Sequence, residues 1–144
     1  MRGFLLDTNV VSEPMRPSPV AEVIGFLSQK DPEPMKLSVV TIEELTYGVS
    51  LLEVRPERAR DLSDAIAHLS HLYRDDILPV TDPIARASGV LRASVKAAGR
   101  HLHFADALIA ATAIVHELTL ATRNTKDFEG LGVALFNPWD GFSA

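Results

Sequence analysis

Several carboxylates in this chain occupy places where a carboxylate is either capping something or doing chemistry. Asp7 ends the apolar run Gly3-Phe4-Leu5-Leu6 and is followed by the turn-formers Thr8 and Asn9. Asp106 is the only charged residue between His103 and His116, in a stretch that is otherwise almost wholly apolar. A carboxylate on such a buried helix is costly unless it is paired, hydrogen-bonded or bound to metal. Glu43 and Glu44 follow Thr41-Ile42, and Asp127 closes the stretch Thr122-Arg123-Asn124-Thr125-Lys126.

Each acid also has a plain structural explanation. Asp7 suits a turn. Thr41 to Glu44 fits a capping box, in which the fourth residue returns its carboxylate to the cap amide. Asp106 in a first helical turn gains from the helix dipole, and Asn124 and Asp127 suit a loop. Spacing leaves the choice between Glu43 and Glu44 open. For Asp7 and Asp106 the chemical reading is the stronger, because one ends a buried strand and the other interrupts a buried helix.

If these acids meet, electrostatics imposes a condition. Two carboxylates about 4 Å apart repel by about 4 kcal/mol at an effective dielectric of about 20. Three or four together therefore require a cation or a shared proton. Oxygen ligands without cysteine or an organised histidine set favour Mg²⁺ or Mn²⁺ over Zn²⁺. Such an ion activates water and orients a phosphate, which is the chemistry of phosphodiester cleavage. Thr122 offers a hydroxyl, Asn124 a neutral oxygen or amide, and Asn9 and Arg123 are candidate substrate contacts. His68 and His71 share a helical face that reads as solvated, and His101 and His103 precede Asp106 in a loop. No glycine-rich phosphate loop is present.

The elements that must position these residues alternate between strand and helix. Residues 3–6 read as a strand buried on both faces, hence central in a sheet. Ser18-Pro19 forms an N-cap and first-turn pair for a helix to about Gln29. Lys36 to Val40 reads as a second strand, with Thr41 capping the helix that carries Ile42, Leu45, Val49 and Leu52. Arg55-Pro56 opens a further helix, and Ile77 to Val80 is a third strand. Asp82-Pro83 starts a helix that Gly99 ends, and another runs from about Phe104 to His116. Leu118 to Ala121 and Val133 to Phe136 supply the last strands. Strands alternating with helices imply parallel pairing with helices on both faces. The fold class expected is α/β, a three-layer α/β/α sandwich on a five-stranded parallel sheet, with residues 1–144 as a single domain.

Composition narrows the rest. A hydrophobic fraction of 47% and a charged fraction of 23% are ordinary for a globular protein. Nothing resembles a secretory signal, and no apolar stretch is long enough to span a bilayer. The absence of cysteine excludes disulfides and thiolate metal sites and fits a cytoplasmic protein. A net charge of −5 argues against broad, unassisted binding to nucleic acid, though not against a substrate held locally through metal.

The chain resembles the PIN-domain ribonucleases, specifically toxins of the VapC and FitB type. The matching pieces are Leu5 to Pro14, Leu37 to Leu45 with Gly48, Ala105 to Ala113, Ala121 to Asn124 with Asp127-Phe128, and the tail Phe136-Asn137-Pro138-Trp139. The resemblance implies a Mg²⁺- or Mn²⁺-dependent endoribonuclease with Asp7 and Asp106 as chief metal ligands. It selects Glu44 over Glu43 as the helix-borne glutamate that helps hold the metal and position or deprotonate the attacking water. Asn124 and Asp127 compete for the fourth position, where related sequences carry either residue type. A small antitoxin as partner, self-association as a homodimer or larger assembly, and DNA contact only through the antitoxin are also implied. The antitoxin groove is expected near residues 14–27 and 41–52. Two rival readings remain: a catalytically weak PIN-like module acting through its partner, and a phosphotransfer domain with Asp7 as nucleophile.

Overall fold

Five parallel strands lie in the order β3-β2-β1-β4-β5, in a computed structural model that describes residues 3–52 and 55–141. They are β1 (Phe4–Leu6), β2 (Met35–Ser38), β3 (Ile77–Leu78), β4 (Thr119–Ala121) and β5 (Leu135–Phe136). Between and around them run α1 (Thr8–Val11), α2 (Ala21–Leu27), α3 (Val39–Ser50), α4 (Pro56–Leu72), α5 (Asp82–Ala97), α6 (Phe104–Val115) and α7 (Thr125–Phe128). The α/β layering follows from the strand–helix alternation of the sequence.

β1 is central because both its faces are apolar. Leu5 joins the core built with α5 and α6, whereas Phe4 and Leu6 join the opposite core with α1, α2 and α4. This is the period-two alternation of a strand, here with no solvent face. Fully burying each leucine contributes about 1.5–3 kcal/mol relative to exposure. Phe4, Phe26 and Phe136 pack together, with ring centroids 5.0 to 5.7 Å apart. At the edge, Gly3 takes φ +112°, and an added Cβ would stand 2.2 Å from the Pro34 carbonyl oxygen.

The order of the strands sets the location of the site. From β1 the chain moves outward to β2 and β3, then returns across β1 to β4 and β5. The direction of winding reverses between β1 and β4, and at such a switch point the helices diverge to leave a crevice beyond the carboxyl ends of the strands. Asp7 follows β1 and Thr122 follows β4, so both stand at that crevice.

Local expectations failed where another side chain supplied the cap or bond that sets a helix start. β2 stops at Ser38, whose hydroxyl accepts from Val40 N, so α3 starts at Val39 and not after Thr41. Thr41 is buried inside the helix, and the predicted capping box does not form. The second helix starts after Val20 and not at Ser18-Pro19, because the buried Glu13 carboxylate accepts from Val20 N at 2.9 Å. The stretch after β4 contains the single turn α7 where a loop was expected. All five strands are shorter than their sequence runs, while the starts of α4, α5 and α6 agree with their proline and loop signals.

Candidate functional site

Asp7 is held before any ligand arrives. Its backbone N–H donates to the Ala121 carbonyl at 2.9 Å, extending the β1–β4 ladder by one bond. Its Oδ1 accepts from Thr8 N at 2.8 Å, which caps α1. Its Oδ2 accepts from the buried Thr122 hydroxyl at 2.8 Å and from Asn9 Nδ2 at 3.4 Å. Burial raises the Asp7 pKa above the ordinary carboxyl value, the two bonds from Thr122 and Thr8 pull it back, and the charge of Asp127 raises it.

Glu44 reaches the same crevice from α3. Thr8 Oγ1 donates to Glu44 Oε1 at 2.7 Å and stands 3.2 Å from the Thr41 hydroxyl. Thr8 therefore links the two acids, by its amide to Asp7 and its hydroxyl to Glu44. Glu43 lies on the exposed side of the helix. The Glu44 pKa is raised, first by burial and then by the charges of Asp7 and Glu43, against the lowering bond from Thr8.

Asp106 arrives on the first turn of α6. Burial, then the charges of Asp7, Glu44 and Asp127, push its pKa up to about 6, while nearby His103 pulls it down. A group surrounded by like charges in a crevice is the pattern of a functional site. Asp106 and Asp127 line a polar hollow of about 370 Å³ with Arg100, His103 and Lys126.

Asn124 and Asp127, the two candidates for the fourth position, are both exposed on the segment after β4. Asp127, one residue before the end of α7, lies within the field of both Asp7 and Asp106. Asn124 is exposed at the start of that turn, and its backbone N–H donates to Thr122 Oγ1 at 3.1 Å. Asn9 and Thr122 spend their polar groups on the framework: both donate to Asp7, and Asn9 Oδ1 also accepts from Arg123 N at 3.2 Å. Arg123 lays its guanidinium 5.2 Å from the Trp139 ring centroid. Thr8 was not singled out as a site residue from the sequence, and His103 was weighed there as a substrate contact and set aside. Thr8 reads there as a turn-former, and only the approach of α3 gives its hydroxyl a second role.

The donor chemistry fits a hard divalent cation. Every candidate ligand is a carboxylate oxygen, and Asp7, Glu44 and Asp106 are harder to ionise first because they are buried and then because of neighbouring acids, a penalty that a cation removes. Among the described residues no three histidine, aspartate or glutamate side chains already close around one point. Mg²⁺ is commonly bound by one or two carboxylates with waters and substrate phosphate completing the shell.

On the far side of Glu44 lies an apolar groove between α1, α2, α3 and α4. One part, about 370 Å³, is lined by Val11, Met15, Leu27, Leu69, Leu72 and Tyr73. A second, about 300 Å³, shares Met15 and runs past Leu45, Val49 and Ile66 to Glu44. Tyr47, Leu51 and Leu72 are exposed large apolar residues on α3, its end and α4.

Comparison with known proteins gives consistent matches along nearly the whole chain. The PIN domain family matches residues 4–133. Toxin FitB of Neisseria gonorrhoeae is 40% identical over 137 residues, covering 94% of this chain and 98% of the relative. The tRNA(fMet)-specific endonuclease VapC of Shigella flexneri is 30% identical over 141 residues, covering 96% and 99%. A solved structure of FitAB bound to an IR36 DNA fragment contains a chain 37% identical to this one, with a TM-score of 0.85 and 98% of each chain covered.

Proposed function

The chain belongs to the PIN-domain family, and from that premise we propose that it is a metal-dependent endoribonuclease, the toxin of a toxin–antitoxin pair. The observation that carries this reading is the convergence at the switch point of the sheet, where Asp106 feels the charges of Asp7, Glu44 and Asp127, and Thr8 bonds both Asp7 and Glu44. Relatives named as VapC ribonucleases support the reaction class.

Asp7 and Asp106 are the residues to hold Mg²⁺ or Mn²⁺, with Glu44 completing the acidic wall. A divalent ion bound there supplies charge to polarise the phosphate and to lower the pKa of water. Glu44 takes the proton from the attacking water as its oxygen bonds to phosphorus and the bond to the leaving ribose oxygen breaks. Its raised pKa brings it closer to neutral pH, where a general base is more effective. Asp127 fills the fourth acidic position, and Asn124 stays at the rim. Thr122, Asn9 and Thr8 act as positioning residues that fix Asp7 and Glu44, and Arg123 offers a cation at the mouth.

The partner is a small antitoxin whose helix occupies the apolar groove, the mode in which an amphipathic helix lays its apolar face into a hydrophobic trough. The groove runs up to Glu44, so a basic residue from that helix reaches the acids and silences them. An acidic chain of net charge −5 meets DNA through that partner rather than directly. Self-association as a homodimer and residence in the cytoplasm belong to the same reading.

The test is Asp7→Asn. Metal-dependent cleavage of RNA should disappear while circular dichroism stays that of the wild type, and retained cleavage removes the proposal. A second reading, a PIN-like module with little catalysis, is favoured by the neutral Asn124 and by the lack of a preassembled ligand trio among the described residues. A Mg²⁺ and Mn²⁺ titration decides between them, because a degenerate pocket binds either ion weakly and cleaves nothing.

A further inference from the structure

One face of this acidic protein is cationic. Arg92 and Lys96 are one helical turn apart on α5, and Arg100 follows the end of that helix. They line a hollow of about 600 Å³ with His101, and no carboxylate lines it. Among the described residues, none of these three cations is ion-paired. Arg100 and His101 also line the neighbouring polar hollow that contains Asp106 and Asp127, so the cationic hollow adjoins the one that holds two of the candidate site acids.

An aromatic ring stands at the junction. Phe104 begins α6, two residues before Asp106, and is 63% exposed. Most of the ring faces solvent, and it already carries the Arg92 guanidinium at 5.3 Å from the centroid, which ties the aromatic group to the cationic hollow. Cations that track phosphates beside an aromatic face that stacks bases are the two components of single-stranded nucleic-acid binding sites.

We propose that Arg92, Lys96 and Arg100, with Phe104 as stacking platform, form a track that binds single-stranded RNA and delivers it to the acidic crevice. The track rests on the nuclease reading for its purpose but is tested apart from cleavage. Local charge, not the net charge, then governs how this chain meets RNA.

The experiment measures fluorescence anisotropy of a labelled, mixed-sequence single-stranded RNA roughly 12 nucleotides long, titrated with the intact chain in EDTA so that nothing is cleaved. The combined variant Arg92→Ala, Lys96→Ala, Arg100→Ala should weaken binding and lower the slope of log affinity against log salt by about two. Phe104→Ala should weaken binding roughly five-fold or more with the salt slope unchanged, and Phe104→Trp should restore it. A duplex of the same sequence should not respond to the Phe104 substitutions, since its bases are not free to stack.

Unchanged RNA affinity and salt slope in variants with wild-type circular dichroism overturn the track. So does sedimentation that finds a dimer dissociated by these substitutions with RNA affinity intact, which would assign the face to a second copy of the chain. Wild-type cleavage with Mn²⁺ alongside unaffected RNA binding in the variants removes the track and leaves the nuclease. RNA binding through these residues without cleavage by the wild type removes the nuclease and leaves the binding surface.

Discussion

The Thr122 hydroxyl donates to Asp7 Oδ2 at 2.8 Å, joining the ends of two adjacent parallel strands across 115 residues of sequence. The bond favours the ionised form of a carboxyl that burial pushes toward protonation. A hydrogen bond to a charged group contributes about 1.5–3 kcal/mol. Thr122→Val keeps the shape and removes the donor, so the Asp7 pKa should rise further. Cleavage at neutral pH should fall by about ten-fold or more, with the acid limb of the pH–rate profile moved to higher pH. Thr122→Ser should recover most of both, and a pH–rate series on the three proteins checks it.

Glu43 and Glu44 are adjacent, yet α3 turns them to different surroundings. Glu44 accepts from Thr8 beside Asp7, and Glu43 is exposed. Loss of a general base slows a reaction by about a hundred-fold or more. Glu44→Gln should therefore lower kcat by at least that order, whereas Glu43→Gln should leave RNA cleavage within a few-fold of wild type. Equal effects of the two substitutions on kcat would remove the role assigned to Glu44.

What was legible in the sequence followed from burial pattern. The run Gly3 to Leu6 identified a central strand because both its faces are apolar, and Asp106 stood out because nothing else near it carries charge. The choice between Glu43 and Glu44 was not legible from spacing, since a capping box explains either. It depends on Ser38 ending β2 and capping α3, which leaves Glu44 free to face Thr8. The short turn α7, which carries Asp127, was similarly hidden, because the composition of that stretch reads as loop. The role of Thr8 escaped notice because its hydroxyl bonds run to Thr41 and Glu44, at sequence distances of 33 and 36.

Gly3 tests the frame that holds the site. At φ +112°, with a Cβ position 2.2 Å from the Pro34 carbonyl oxygen, alanine is both strained and blocked by backbone. Phe4 N donates to that same carbonyl at 2.8 Å, so relief by moving Pro34 breaks the bond that starts the central strand. Gly3→Ala should destabilise the fold by about 2–4 kcal/mol. Chemical denaturation of variant and wild type measures it, and a loss well below 1 kcal/mol would show that the segment re-forms elsewhere.

The acids also make stability depend on pH and metal with a definite sign. The Asp106 pKa is raised from 3.8 to about 6, and those of Asp7 and Glu44 are raised as well. A carboxyl with a higher pKa in the folded state binds its proton more tightly there, so protonation favours the fold. For Asp106 that contribution is complete below the unfolded value near 3.8 and is lost as pH rises through about 6. In EDTA the site should therefore be least comfortable at neutral pH, and Asp106→Asn should be at least as stable there as the wild type. A bound cation reverses this, since a ligand at about a hundred times its dissociation constant stabilises by about 2.7 kcal/mol. Thermal melts at neutral pH should show Mn²⁺ raising the Tm of the wild type and leaving Asp106→Asn nearly unmoved. At a pH well below 6 the wild type should lose its Mn²⁺ response too, because the protonated acid competes with the ion. A Tm that ignores Mn²⁺ at neutral pH, or an Asp106→Asn variant that keeps the full response, would remove Asp106 from the metal site.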